Sequence, residues 1–403
     1  MTDPRRFFTD PGFDFETRIA LGAVRYGLAE AGEVLATAAT ITDGDLDGWF
    51  DAWTATATRL RAAAEAAEAA GQPVSAREAW LRAAKYSGMA NFFVLGTRDP
   101  SRVGPAWEWH RACAERGFAL FPNARRVAIP YEGVTLDGWW FSGGEGPRPL
   151  AIINNGSDGT IVDMLGQGVV AATDRGWHAL VFDGPGQGAA LYRSGLPFRP
   201  DWEAVIAPVV DFALARPDTD AARVALIGIS QGGYWVPRAA AFETRLAAAV
   251  ADPGVTRVWS SWFDGFPPEV LDLFRAGDKA AFDAAMTEGM KEAPARLRFE
   301  LAKRAEPYRI SSVFDLLTEL RRYDLTGIAD KIRCPTLVLA PENEAFWPGQ
   351  SQELFDALTC PKALLPFTAA EGADGHCEPM APALRSARVF DWLEALPRTA
   401  PGA

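Results

Sequence analysis

Residues 223–233 read Arg-Val-Ala-Leu-Ile-Gly-Ile-Ser-Gln-Gly-Gly. The apolar run Val224–Ile227 has the length and character of a buried strand, and it leads straight into Gly-Ile-Ser-Gln-Gly. Tyr234–Phe242 then reads as a helix. The pattern predicts strand, sharp turn, helix, with Ser230 at the apex. Glycines at 228 and 232 suit a corner where the two backbones pass closely. A hydroxyl held there stands clear of the sheet, where a base can reach it. This is the layout of a nucleophile elbow.

The five-letter pattern alone is weak in a chain with 37 glycines. Its flanking strand and helix strengthen it, as does the scarcity of histidine. A serine hydroxyl needs an adjacent base to attack near neutral pH. The chain has three histidines. His178 lies in an apolar strand read, Gly-Trp-His-Ala-Leu-Val-Phe-Asp, and His110 on a predicted helix near the N-terminus. Only His376 follows Ser230, in the loop Glu-Gly-Ala-Asp-Gly-His-Cys-Glu-Pro. The order serine, acid, histidine of such hydrolases selects it. The orienting acid should follow the strand Cys334–Ala340, where no aspartate occurs but Glu342 and Glu344 do. Glu344 is preferred, Glu342 is an alternate, and Asp252, after the strand read Leu-Ala-Ala-Ala-Val-Ala, is a third candidate. The oxyanion calls for backbone N–H donors. One is expected from Gln231. The other is expected from the loop 156–159 after the strand Pro-Leu-Ala-Ile-Ile-Asn-Asn, with Ser157 or Asp158 as donor.

Composition narrows the partners. The net charge of −12 argues against nucleic acid and anionic membrane; the partner expected is a small-molecule substrate, apolar or aromatic. Four scattered cysteines without a Cys-x-x-Cys fit reduced thiols, and three separated histidines make a metal site unexpected. No metal or organic cofactor is anticipated. The segment Met1–Phe15 has no apolar stretch of signal-peptide type, and no run approaches the roughly 18 apolar residues of a membrane span, so a cytoplasmic protein is expected. A homodimer stays open.

Two regions are expected. Residues 1–122 read as a helical domain. Within it Asp51–Ala70 is alanine-rich and ends at Gly71, and Ser75-Ala-Arg-Glu78 resembles a capping box opening the next helix. From 123 to 403, strands are predicted as a hairpin near 125–141 and then at 149–153, 177–182, 223–228, 246–251, 335–340 and 362–367. Helical stretches lie between most of them, which implies an α/β fold with a mostly parallel eight-stranded sheet. The stretch of about 253–333 is too long for one crossover and reads as a helical lid between strands six and seven, with helices at Phe282–Glu292, Ala293–Arg304 and Ser311–Tyr323. Its Trp259, Trp262 and Phe263, with Trp347 beyond, are candidates to line an apolar substrate pocket.

Two rival classes are weighed. Gly184-Pro-Gly-Gln-Gly-Ala189 matches the G-x-G-x-x-A form of a dinucleotide fingerprint, as in a nucleotide-dependent oxidoreductase. A helix should then open within the motif, yet Gly195, Pro197 and Pro200 follow and a helix is expected only from about Asp201. The second rival is a non-catalytic binding protein on a hydrolase fold; the presence of both Ser230 and His376 weighs against it.

Ser230, the turn Asp183-Gly-Pro-Gly-Gln-Gly188, the loop Asn155-Gly-Ser-Asp158 and the helical N-terminus together resemble the FrsA-like α/β-hydrolase family with an N-terminal helical domain. That family includes 2,6-dihydroxypseudooxynicotine hydrolase and fungal enzymes that shorten polyketide chains. The resemblance covers essentially the whole chain. It implies a serine hydrolase with a Ser–His–acid catalytic triad, Ser230 as nucleophile, His376 as base and Glu344 in the place where the family carries aspartate. It further implies a C–C bond hydrolase acting beside an aryl or enol ketone, with a carboxylesterase acting on an aromatic or apolar ester as the alternative.

Overall fold

The computed structural model describes residues 6–263 and 266–397. Its centre is an eight-stranded sheet of order β1-β2-β4-β3-β5-β6-β7-β8. Strands β1 (Ala124–Tyr131) and β2 (Val134–Phe141) form an antiparallel hairpin, turned by Glu132 and Gly133, both at positive φ. Strand β2 pairs antiparallel with β4 (His178–Phe182). The remaining neighbours, β3 (Arg148–Asn154), β5 (Thr219–Ile229), β6 (Ala248–Asp252), β7 (Thr336–Pro341) and β8 (Lys362–Phe367), are parallel. This is the mostly parallel eight-stranded sheet that strand–helix alternation predicted.

Before the sheet come α1 (Pro11–Ala23), α2 (Ala31–Ala38), α3 (Leu46–Ala69), α4 (Pro73–Phe92) and α5 (Val103–Ala119). Between β3 and β4 lies α6 (Val169–Asp174), and between β4 and β5 lie α7 (Gly188–Tyr192) and α8 (Glu203–Leu214). Helix α9 (Gly232–Ala240) follows the elbow. Among the described residues five α-helices separate β6 from β7: α10 (Ser260–Phe263), α11 (Pro268–Arg275), α12 (Lys279–Glu292), α13 (Ala295–Ala305) and α14 (Val313–Leu320). Helix α15 (Gln350–Ala357) precedes β8 and α16 (Pro382–Ala395) ends the described chain. Among the described residues no helix is long and apolar enough to cross a membrane.

Alternation along the central strands builds two cores. Val224 and Leu226 of β5 face a core filled by α8, α9, α14 and α15. Ala225, Ile227 and Ile229 face the other way, into a core shared by α6, α16 and the apolar faces of α1 to α5. The N-terminal helices therefore pack on one face of the sheet through a continuous apolar layer. Within that layer Trp49 and Trp53 of α3 are fully buried, and the Trp49 indole donates to the Met89 carbonyl of α4 at 2.8 Å. In the segment between β6 and β7, Phe274, Phe282 and Phe314 meet at centroid distances of 5.0–5.9 Å and join α11, α12 and α14.

Two local expectations need correction. The predicted capping box at Ser75 and Glu78 lies inside α4, which starts earlier because Pro73 occupies its first turn, where a missing N–H costs nothing. A helix also opens inside the glycine-rich turn after β4: α7 begins at Gly188, although none was expected before Asp201. Its N-terminus is already engaged by protein, since the Asp183 carboxylate accepts from Ala189 N–H at 2.9 Å and pairs with Arg111 at 2.7 Å. The motif thus closes on its own aspartate, which removes the place a pyrophosphate would take.

Candidate active site

Ser230 sits at the end of β5 with φ of 57°, the left-handed region that an L residue enters only under constraint. Its N–H donates to the Asp252 carbonyl at 2.6 Å, and its own carbonyl accepts from Gly233 N–H at 2.7 Å. The corner is steric as well. A methyl group at Gly228 would lie 2.2 Å from the Gly232 carbonyl oxygen, so glycine there lets β5 and α9 pass. The predicted elbow is present, with α9 starting two residues earlier than the sequence suggested.

The three dispersed groups come together. His376 Nε2 lies 2.9 Å from Ser230 Oγ, and His376 Nδ1 lies 2.7 Å from Glu344 Oε2. A carboxylate can only accept, so Nδ1 carries the proton and Nε2 faces the hydroxyl with its lone pair. Glu344 Oε1 accepts from the Phe346 and Trp347 amides at 2.8 and 3.1 Å. Burial opposes ionisation of Glu344, but the His376 ring and those two amides outweigh it and hold the carboxyl below its usual range. The turn bearing Glu344 is tied to the histidine loop, because Asn343 N–H donates to the Asp374 carbonyl and Asn343 Nδ2 to Asp374 Oδ2, both at 2.8 Å. The rings of Phe346, Trp347 and Phe15 stand 4.7, 5.8 and 6.3 Å from the imidazole.

The alternate acids are elsewhere. Glu342 is exposed and accepts from Ala369 N–H at 2.8 Å. Asp252 is fully buried, but its carboxylate is engaged by Arg385 of α16. Glu378 shares that guanidinium at 3.8 Å; burial and the neighbouring Asp252 raise its carboxyl well above the usual range. Asp252 reaches the elbow only through its carbonyl. Of the other histidines, His110 Nδ1 lies 2.7 Å from the Ala84 carbonyl, and His178 Nδ1 accepts from Gly143 N–H at 3.1 Å. Cys377 is buried against the Asp252 carbonyl, its thiol pushed well up by burial.

The loop after β3 is pressed onto the elbow. A methyl group at Gly156 would lie 2.7 Å from Ser230 Cβ and 3.3 Å from Oγ. Gly156 N–H is spent on Asn155 Oδ1 at 2.8 Å. Among the described residues the N–H groups of Gln231, Ser157 and Asp158 have no protein acceptor. Sequence reasoning missed the group that holds this loop: Gln187 Nε2 donates to the Asn155 and Gly156 carbonyls at 2.8 and 2.9 Å, while its Oε1 accepts from Gly184 N–H. Gln187 was visible only as part of the glycine-rich turn.

Ser230, His376, Gln231, Ser157 and Asp158 open onto a cavity of about 670 Å³. Trp262 and Trp347 line it as expected. Trp259 and Phe263 do not: they stack edge to face at 5.5 Å, and Phe263 packs on Phe274. Further lining comes from helices before the sheet, with Phe15, Glu16 and Ile19 of α1, Met89 and Phe92 of α4 and Trp107 of α5, and from Phe299 and Arg304 of α13. None of these was a candidate from the sequence, because an apolar helix face looks the same whether it meets a neighbour or a cavity.

Comparison with known proteins agrees with this fold. A model of the alpha/beta hydrolase family matches residues 160–392. The chain is 30% identical to hydrolase LUC6 of a Fusarium species, over 96% of this chain and 97% of that protein. It is 28% identical to 20-hydroxy-prefusarin hydrolase FUS2 of Gibberella moniliformis, over 97% of both. Among solved structures, 2,6-dihydroxy-pseudo-oxynicotine hydrolase matches with a TM-score of 0.73 at 20% identity, covering 94% of this chain and 97% of that one.

Proposed function

We propose, from the premise that the chain belongs to the alpha/beta hydrolase family, that it is a serine hydrolase in which Ser230 is the nucleophile, His376 the general base and acid, and Glu344 the orienting carboxylate. The observation that carries this reading is the unbroken relay from Glu344 Oε2 through His376 to Ser230 Oγ, at 2.7 and 2.9 Å, opening into one cavity. Residues 123–403 then carry the chemistry, and residues 1–122 roof the site jointly with the helical segment between β6 and β7.

Ser230 Oγ adds to a carbonyl carbon as its proton passes to His376 Nε2. The imidazolium is stabilised by Glu344. The new oxyanion takes hydrogen bonds from Gln231 N–H and from Ser157 or Asp158 N–H, donors that have no other acceptor among the described residues. The tetrahedral species collapses with loss of a leaving group, which takes the proton from His376. For an ester this group is an alkoxide. For a β-diketone it is the α-carbon, whose bonding pair is received as an enolate by the second ketone. Water then adds to the acyl-enzyme, giving one proton to His376. Collapse releases a carboxylic acid and returns that proton to Ser230.

Cleavage of a carbon–carbon bond beside a ketone, in a polyketide-like substrate, is the activity favoured here. The largely apolar cavity walls support it, as does the similarity to a relative named for hydrolysing 20-hydroxy-prefusarin. The test is a screen of paired aryl esters and aryl β-diketones against wild type and Ser230→Ala, with fluorophosphonate labelling of the serine. Diketone turnover lost in Ser230→Ala supports the proposal. Turnover of esters alone moves the activity to a carboxylesterase, and undiminished turnover by Ser230→Ala removes the nucleophile.

A further inference from the structure

Most charged groups lining the cavity are matched. Lys85 pairs with Asp163 at 2.8 Å, Arg111 with Asp183 at 2.7 Å, Arg296 with Glu300 at 2.7 Å, and Lys303 lies 3.8 Å from Asp158. Glu16 of α1 is not. It lines the cavity and is only 7% exposed. Among the described residues its carboxyl makes neither a hydrogen bond nor an ion pair. A largely buried carboxyl without a hydrogen-bond partner is costly, and only the charges of Lys85 and Lys303 oppose that cost. The helix passes beside the relay, with the Phe15 ring 6.3 Å from the His376 ring, and it delivers Glu16 into the space onto which Ser230 opens.

Resting on the Ser230 reading above, we propose that Glu16 is a specificity-determining residue that binds a second oxygen of the substrate, a keto oxygen set apart from the carbonyl that Ser230 attacks. The substrate class is thereby a polyoxygenated ketone rather than a simple acyl ester. A site built to hydrogen-bond an oxygen discriminates sharply against the analogue lacking it, because the buried group is then left unmatched. Burial pushes the Glu16 carboxyl up to about 7. Four charged groups face it: Lys85 of α4 and Lys303 of α13 pull it down, while Asp163 and Asp158 in the segment after β3 push it further up. Below that point it stands as a neutral acid, offering to a keto oxygen an O–H that the ionised carboxylate lacks.

The experiment uses full-length Ser230→Ala, which binds without turnover, and two probes of one carbon skeleton, 1-phenylbutane-1,3-dione and 1-phenylbutan-1-one. Dissociation constants are read by tryptophan fluorescence. The dione is expected to bind about three- to tenfold more tightly than the monoketone, the range of one net hydrogen bond. Adding Glu16→Gln keeps that preference; adding Glu16→Leu erases it. Between about pH 6 and pH 8 the preference declines where Glu16 is retained but stays level in the Glu16→Gln protein, a readout that a merely structural side chain would not move and that remains if the leucine variant does not fold. An unchanged preference in Glu16→Leu, or a parallel pH response of the Glu and Gln proteins, overturns the proposal. Fluorophosphonate labelling of proteins with Ser230 intact separates the two readings: labelling together with an unchanged preference in Glu16→Leu condemns Glu16 alone, and failure to label wild type condemns Ser230.

Discussion

Replacing Glu16 by glutamine should stabilise the protein, and more so as pH rises. The carboxyl is held at about 7 against an ordinary value of 4.5. Between those values the folded chain keeps a proton that the unfolded chain has lost, so this group's contribution to stability falls as pH rises from the lower value to the upper and is level above it. At 1.36 kcal/mol per unit the whole penalty is about 3 kcal/mol, with little discount for solvent in so buried a group. About 2 kcal/mol of it accrues between about pH 5.5 and pH 8, a window on the alkaline side of the isoelectric point. With about 2.1 cal/mol/K of unfolding entropy per residue over this chain, that is a melting-temperature difference of about 2 °C. The assay is calorimetry of wild type and Glu16→Gln at both pH values. The quantity that matters is the change in their gap, because every other titrating group cancels. A gap that is equal at the two pH values, or that shrinks toward pH 8, refutes the burial argument.

Ser230→Ala should lower turnover of a p-nitrophenyl ester by at least about a thousandfold without shifting the melting temperature by more than a degree or two. Glu344→Gln, which leaves the imidazole without a carboxylate, should cost about a thousandfold or more in kcat, whereas Glu342→Gln should stay within a few-fold; the reverse order in the same ester assay would move the acid. Gly156→Ala should cut kcat at least about tenfold with circular dichroism intact, since the added methyl would lie 2.7 Å from Ser230 Cβ and must displace the elbow or the donor loop. Trp262→Ala should change KM for aryl substrates several-fold, and Trp259→Phe should leave KM unaltered, because only the first ring faces the cavity.

The sheet and the grouping of Ser230, His376 and Glu344 at the proposed site were legible from the following signals. Ser230 is marked by a strand, a glycine-bearing corner and a helix within about twenty residues. His376 was found by scarcity and order, and Glu344 by its place after a strand. Asp252 also follows a strand, and only Arg385, 133 residues further on, shows why it is committed elsewhere. Helix α7 is five residues long, too short for periodicity to register. The split between Trp262 and its neighbours Trp259 and Phe263 depends on how the four-residue helix α10 is rotated, which no pattern in four residues can state. The cavity wall of α1 escaped notice for a different reason. Phe15, Glu16 and Ile19 lie more than two hundred residues from Ser230 in sequence, and the fold alone makes them neighbours.

The apolar layer shared by α1 to α5 and the sheet has a consequence for traffic. Swinging those helices away as a flap would strip dozens of side chains from their contacts at once, each at roughly 1.5–3 kcal/mol. Such an excursion is far too rare to accompany every catalytic cycle. Reactants must instead slip in, and products out, through smaller adjustments around the mouth, so the pace of exchange is set by local breathing rather than by a hinge.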